Sequence, residues 1–179
     1  MKRHLVIGGA SAAPVATERT NCGRIDMRIA RDGMWFYHGT PIPRKEMVCL
    51  FASTLTRRAD GSYWLITPVE EAQIDVEDVP FLAVEMFTCR AGREMVFSFR
   101  TNVDEVVTLD EAHPLRLAVD SHGTPPYLTI RNGLEARLTR SVYYELVAMG
   151  VEEKVGEARL YGIWSSGIFF PLGRLEELV

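Results

Sequence analysis

Two stretches of this chain place basic side chains where a helix is expected to begin. Pro43-Arg44-Lys45 opens the first, and Arg137-Leu138-Thr139-Arg140 leads into the second. A helix N-terminus carries a partial positive charge and ordinarily draws Asp or Glu. Basic side chains beside its unpaired N–H groups instead suit a phosphate or carboxylate, and the planar arginine fork meets such groups through two contacts. Departures from local preference concentrate at functional or strained sites. The competing reading is that these arginines are solvated, or paired with Glu70, Glu71 or Glu135.

Other reactive patterns are weaker. Ser165-Ser166-Gly167 lacks the glycine two residues ahead of the serine that a nucleophile elbow needs. Asp75, Glu77 and Asp78, and later Asp104, Glu105, Asp110 and Glu111, offer paired carboxylates for acid–base work, but they fall at strand ends and turns where acids are ordinarily solvated. His38 and His113 stand alone, and no two of the four histidines have metal-ligand spacing. Cys22, Cys49 and Cys89 are sparse and odd in number, which points to free thiols and a cytoplasmic location. Trp35, Trp64, Trp164, Tyr143 and Tyr144 can stack a base, although aromatics serve more often as core. No cofactor is implied.

The elements that must position these residues follow from periodicity. Ile25, Met27 and Ile29 alternate with polar residues as a strand does, and Asp32-Gly33 returns the chain as a two-residue hairpin that sets Ile29 opposite Phe36. Met47, Leu50, Phe51 and Leu55 recur at helical spacing, predicting a helix over about 43–57. Strands are expected at Tyr63–Ile66, Phe81–Phe87, around Phe97 and Phe99, and at Leu115–Val119. In the next hairpin, a three-residue loop with Gly133 left-handed pairs Ile130 with Leu134 and Leu128 with Ala136, keeping one face apolar. Thr139 is a fitting N-cap for a helix over about 140–150. Leu160–Trp164 and Ile168–Phe170 then form two strands around Ser165-Ser166-Gly167. Strand, glycine turn, helix and aromatic strand describe residues 34–66 and again 127–164, a topological echo.

The bulk properties set limits. The 179 residues are 47% hydrophobic and 25% charged, ordinary globular values, with no apolar run long enough to span a bilayer. Net charge is −4, laid down unevenly. Residues 1–60 hold ten basic and five acidic side chains, residues 61–113 three and eleven, and residues 114–179 seven and eight. An acidic middle and no long basic stripe argue against nucleic-acid binding. The stretch from Met1 to about Arg24 faintly mimics a secretory signal, but its apolar part is short and glycine-broken, so 1–24 reads as a disordered tail. The chain then divides into a first β-rich unit over 25–88, a second over 89–173, and a short tail over 174–179. The fold class is α+β: two tandem β-rich units, each with one short helix.

Several stretches also carry a family resemblance. Asp32 to Ile42, Leu50 to Ser53, Asp60 to Glu70, Val76 to Phe81 and Arg131 to Leu138 together resemble domain-of-unknown-function family 1285, a proteobacterial family, over about residues 25–173. The resemblance implies a duplicated β-rich core whose second unit is superficially like a pleckstrin-homology fold. It also implies a site between the units for a nucleotide-like ligand and a signalling role. Carried onto this chain, that site comprises Arg44, Glu70, Arg131, Arg137, Arg140 and Tyr143. Arg44, Arg137 and Arg140 are expected to meet phosphates, Glu70 to accept from sugar or base, and Tyr143 to stack. On this reading Arg137→Ala weakens nucleotide binding and leaves the melting temperature nearly unchanged. The alternative is a protein-interaction module without a small ligand; an enzyme of unknown class comes third.

Overall fold

The computed structural model describes residues 19–118, 123 and 125–175. Strands β1 (Thr20–Ile29), β2 (Trp35–Tyr37) and β3 (Thr40–Pro41) form one meander, and β4 (Leu55–Arg57), β5 (Tyr63–Ile66) and β6 (Glu70–Val76) form another. Helix α1 (Lys45–Thr54) joins them. The two meanders meet edge to edge with β1 parallel to β6, giving the order β3-β2-β1-β6-β5-β4. A second sheet repeats this plan. Its meanders are β7 (Phe81–Cys89), β8 (Val96–Thr101), β9 (Val106–Thr108) and then β10 (Leu115–Arg116), β11 (Tyr127–Arg131), β12 (Leu134–Leu138). Here β12 runs parallel to β7, in the order β10-β11-β12-β7-β8-β9. Helix α2 (Arg140–Ala148) follows, and then a three-stranded antiparallel sheet of β13 (Val151–Val155), β14 (Ala158–Ser165) and β15 (Ile168–Arg174).

Among the described residues the chain is thus mostly β with two α-helices, built from two tandem units of one strand order. The repeat lies in the sheets, over 20–76 and 81–138, rather than in the 34–66 and 127–164 frame suggested by the helices. The helices occupy different places in the two copies: α1 sits between the meanders, α2 after the second one. Sheet membership also moves the expected boundary. Residues Phe81–Cys89 pair with β8 and β12, so they belong to the second unit and not to a first unit ending at 88.

Four local expectations are corrected. Residues 20–24 are part of β1, where Thr20, Asn21 and Arg24 pair with β6, so the expected tail over 1–24 is at most a shorter one; its first 18 residues lie outside the described part. Arg174 likewise closes β15, and the remainder of the expected 174–179 tail beyond residue 175 is outside it. Helix α1 stops at Thr54 because the Ser53 and Thr54 hydroxyls donate to the Leu50 and Phe51 carbonyls, competing with the helical ladder. Leu55 is already extended and pairs with Leu65. Of the expected strand at Leu115–Val119, Leu115–Arg116 pair with β11, Leu117 and Ala118 are outside the strand, and Val119 lies outside the described residues.

Both hairpins keep their apolar faces by means other than those expected. In the first, Ala30 N–H donates to the Met34 carbonyl across a three-residue loop with Gly33 at φ +83°. Ile29 therefore faces Trp35 rather than Phe36, and both are buried. In the second, Asn132 (φ +46°) and Gly133 (φ +75°) make a two-residue turn, and Arg131, not Ile130, faces Leu134. A bulge between Thr129 and Arg131 absorbs the odd residue, so Ile130 and Leu134 are still both buried and Leu128 still faces Ala136.

One hydrophobic core runs through both units, from Ile29, Trp35 and Leu55 to Phe81, Phe99 and Leu138. Ser165 ties the third sheet to the second: its hydroxyl accepts from Phe97 N–H at 3.1 Å and donates to the Leu109 carbonyl at 2.6 Å. Among the described residues no helix is long and apolar enough to cross a membrane.

Candidate functional site

The six expected site residues do not meet in one cleft. Arg44 is exposed at the start of α1 and caps nothing with its side chain. Arg131 reaches across from β11 to the other end of that helix, donating to the Ala52 carbonyl at 2.7 Å and the Leu55 carbonyl at 3.2 Å, and pairing with Glu105. It is the C-terminal cap of α1, which has no basic residue in its own last turn. Glu70 opens β6 on the rim of a separate apolar cavity. Tyr143 packs partly against the core beside Tyr144.

Arg137 and Arg140 do come together, with a partner that sequence reasoning missed. They line a notch of about 340 Å³ with Leu82, Pro125, Leu138, Thr139 and Arg31, the last contributed by the first unit. Arg137 donates to Asp78 Oδ2 at 2.7 Å and to the Arg31 carbonyl at 2.8 Å. Arg31 Nε lies 3.9 Å from the same carboxylate oxygen, and the Tyr127 hydroxyl donates to its Oδ1 at 3.1 Å. Burial and the neighbouring Asp78 raise the Tyr127 hydroxyl above the ordinary tyrosine range, so it stays a donor. Thr139 caps α2 by accepting from Val142 N–H, with no acid in the first turn. Three guanidinium groups thus line a notch at a helix N-terminus on the seam between the units, and two of them, Arg31 and Arg137, face the Asp78 carboxylate. Because the Arg137 and Asp78 side chains are only 15% and 17% exposed, losing Arg137 leaves a largely buried carboxylate with only the Tyr127 hydroxyl and the more distant Arg31. Substituting Arg137 therefore costs stability, contrary to the expectation that it would not.

Among the described residues, all but Glu111 of the acids expected as acid–base candidates are engaged with a basic side chain. Asp75 pairs with Arg24, Glu77 with Arg28, Asp78 with Arg137, and Asp104 with Lys45 and Arg100. The Arg31 amide and the Arg28 guanidinium hold Glu77 below the ordinary carboxylate range. His38 and His113 each contact one aspartate, Asp26 and Asp110. The tryptophans are engaged as well: Trp35 and Trp64 are buried, Arg58 lies over Trp64, and Arg93 over Trp164. Among the described residues no group of three or more His, Cys, Asp or Glu converges as metal ligands would.

The second concavity lies wholly within the first unit. A cavity of about 570 Å³ opens beside α1 over β1, β5 and β6, walled by Ile25, Met27, Ile42, Phe51, Leu65 and Ala72. Its signal was present in the sequence as Met47 and Leu50, read as core on a helical stripe, yet exposed at the cavity mouth.

Two family models match the chain: the N-terminal domain of a domain of unknown function, DUF1285, over residues 13–79, and its C-terminal domain over residues 80–172. Their junction falls where the sheets change over. A crystal structure of a DUF1285 family protein from Silicibacter pomeroyi DSS-3 is similar at 43% identity and a TM-score of 0.81, covering 96% of this chain and 93% of that one. Another from Shewanella baltica OS155 is similar at 31% identity and a TM-score of 0.56, covering 69% of this chain and 91% of that one. No curated protein matches the chain.

Proposed function

The chain belongs to the DUF1285 family, and from that premise we propose that it is a ligand-binding protein which holds a phosphate-bearing, nucleotide-like anion at the seam between its two units. The observation that carries this reading is the notch beside the start of α2 lined by Arg31, Arg137 and Arg140, of which Arg31 and Arg137 share the carboxylate of Asp78 while Arg140 is exposed. The three guanidinium groups outnumber the nearby carboxylates of Asp78 and Glu77, the latter held on the Arg31 amide and paired with Arg28, and the helix dipole adds to the positive field. Asp78 and Tyr127 hold Arg137 in place, so part of the site is organised before a ligand arrives. A ligand bridging Arg31 and Arg140 would bind both units at once, which suits a signalling or regulatory role.

Calorimetric titration of the full chain with inorganic phosphate, AMP and ATP tests this. Saturable binding that falls roughly tenfold in Arg31→Ala and Arg140→Ala, both exposed and able to change without refolding the site, is expected. Equal binding by wild type and both variants, or no binding by any, refutes the proposal. A second reading, an interaction surface for a protein partner, is favoured by the edge strand β13, where Val151 and Val155 are exposed. A thermal midpoint that nucleotides leave unmoved favours this second reading.

A further inference from the structure

The apolar cavity of the first unit has features of a second, independent binding site. In the second unit, α2 packs on β7, and β14 of the third sheet lies against β8. In the first unit α1 is the layer that packs on the sheet, meeting β5, and about 570 Å³ remains open beside it. That volume lies within the range of small-molecule sites, which are mostly apolar with a few placed polar groups. Leu50, 64% exposed, and Met47 stand at the mouth on the helix side.

Cys22, Thr67 and Glu70 gather at the end of the cavity where β6 begins, and Tyr37 stands toward the other end of β1. Side chains alternate along β6, so Glu70 and Ala72 face the cavity while Glu71 points away and pairs with Arg58. The Thr67 hydroxyl is already engaged with the Glu70 backbone, and the Thr54 hydroxyl with the Phe51 carbonyl. What remains are the Tyr37 hydroxyl and the one charged group of the lining, the Glu70 carboxylate, whose contact among the described residues is the Cys22 thiol at 3.8 Å, with no cation in ion-pair distance. A carboxylate beside an apolar wall selects a positive head on an apolar body. We propose that this cavity binds a cationic amphiphile, with its ammonium group against Glu70 and its hydrocarbon part against Met27, Ile42, Leu50, Phe51 and Leu65.

The test compares dodecylammonium, dodecanol and dodecanoate, each below its micellar concentration, on the full chain by calorimetry. The amine is expected to bind most tightly and the carboxylate most weakly. Glu70→Gln should bring the amine down roughly fivefold, to the level of the alcohol, and leave the alcohol unchanged. Leu50→Gln, at an exposed position, should weaken amine and alcohol alike. The proposal is overturned if the wild type shows no saturable binding, if dodecanoate matches the amine, or if either variant binds as the wild type does. Phosphate binding at the seam is unaffected by these variants, so the two sites succeed or fail separately.

Discussion

Replacing Arg131 with methionine separates an architectural guanidinium from a ligand-binding one. The wild-type group donates to the Ala52 carbonyl at 2.7 Å and, less tightly, to the Leu55 carbonyl at 3.2 Å, and pairs with Glu105. A charge-assisted hydrogen bond contributes about 1.5 kcal/mol at the low end, the longer one about half of that. A cation at a helix C-terminus adds about 0.5 kcal/mol. The Glu105 pair is roughly 30% exposed on both sides, so it adds only about 0.5 kcal/mol after solvent screening. The sum is about 3 kcal/mol, or a melting temperature lowered by roughly 6–12 °C for a chain of this size. Methionine keeps an apolar stem beside Phe81, which limits the packing loss. Chemical and thermal denaturation give the stability, and hydrogen exchange should show protection falling around the α1–β4 junction. Arg131→Lys, with one ammonium in place of a fork, should recover less than half of the loss. Phosphate binding should be unchanged in both. A methionine variant within about 0.5 kcal/mol of wild type, or a lysine variant equal to it, would refute the capping role.

Two other perturbations probe the seam. Gly33→Ala places a Cβ 2.8 Å from Asn102 Nδ2 and 3.1 Å from Leu82 Cδ1 at a φ of +83°, and should cost about 2–3 kcal/mol in urea denaturation by straining the turn and pushing the units apart. The Lys45 ammonium, with Arg100 beside it, holds the Asp104 carboxyl below the ordinary aspartate range. A depressed carboxyl stabilises the fold above its unfolded value and loses that contribution as pH falls through the folded one. Stability measured from pH 5 down to pH 2 should therefore fall less steeply in Asp104→Asn than in wild type; parallel acid limbs would show the pair to be inert.

How much of the molecule could be read along the chain depends on how far apart the cooperating residues are. The alternation of Ile25, Met27 and Ile29, the aromatic strand Tyr63–Ile66, the inward Phe97 and Phe99, and the stripe of Val142 and Leu146 are all patterns among near neighbours, and each became the expected element. The family resemblance was legible for the same reason. Strand β13 went unread because Val151–Val155 is an exposed edge whose glutamates carry no inward stripe. Phe81–Cys89 reads as a strand in either unit, so local pattern left its sheet undecided.

The amino-acid sequence by itself determined the α+β class, the tandem plan and the basic entrance to α2, since periodicity, turn chemistry and helix capping act over a few residues. Only the tertiary structure decided where the charges end up. Asp78 meets Arg137 across 59 positions, and Arg131 caps α1 across 79. Parallel pairing of β1 with β6 and of β7 with β12 sets those contacts, and a charge in sequence carries no mark of the partner that such pairing will bring beside it.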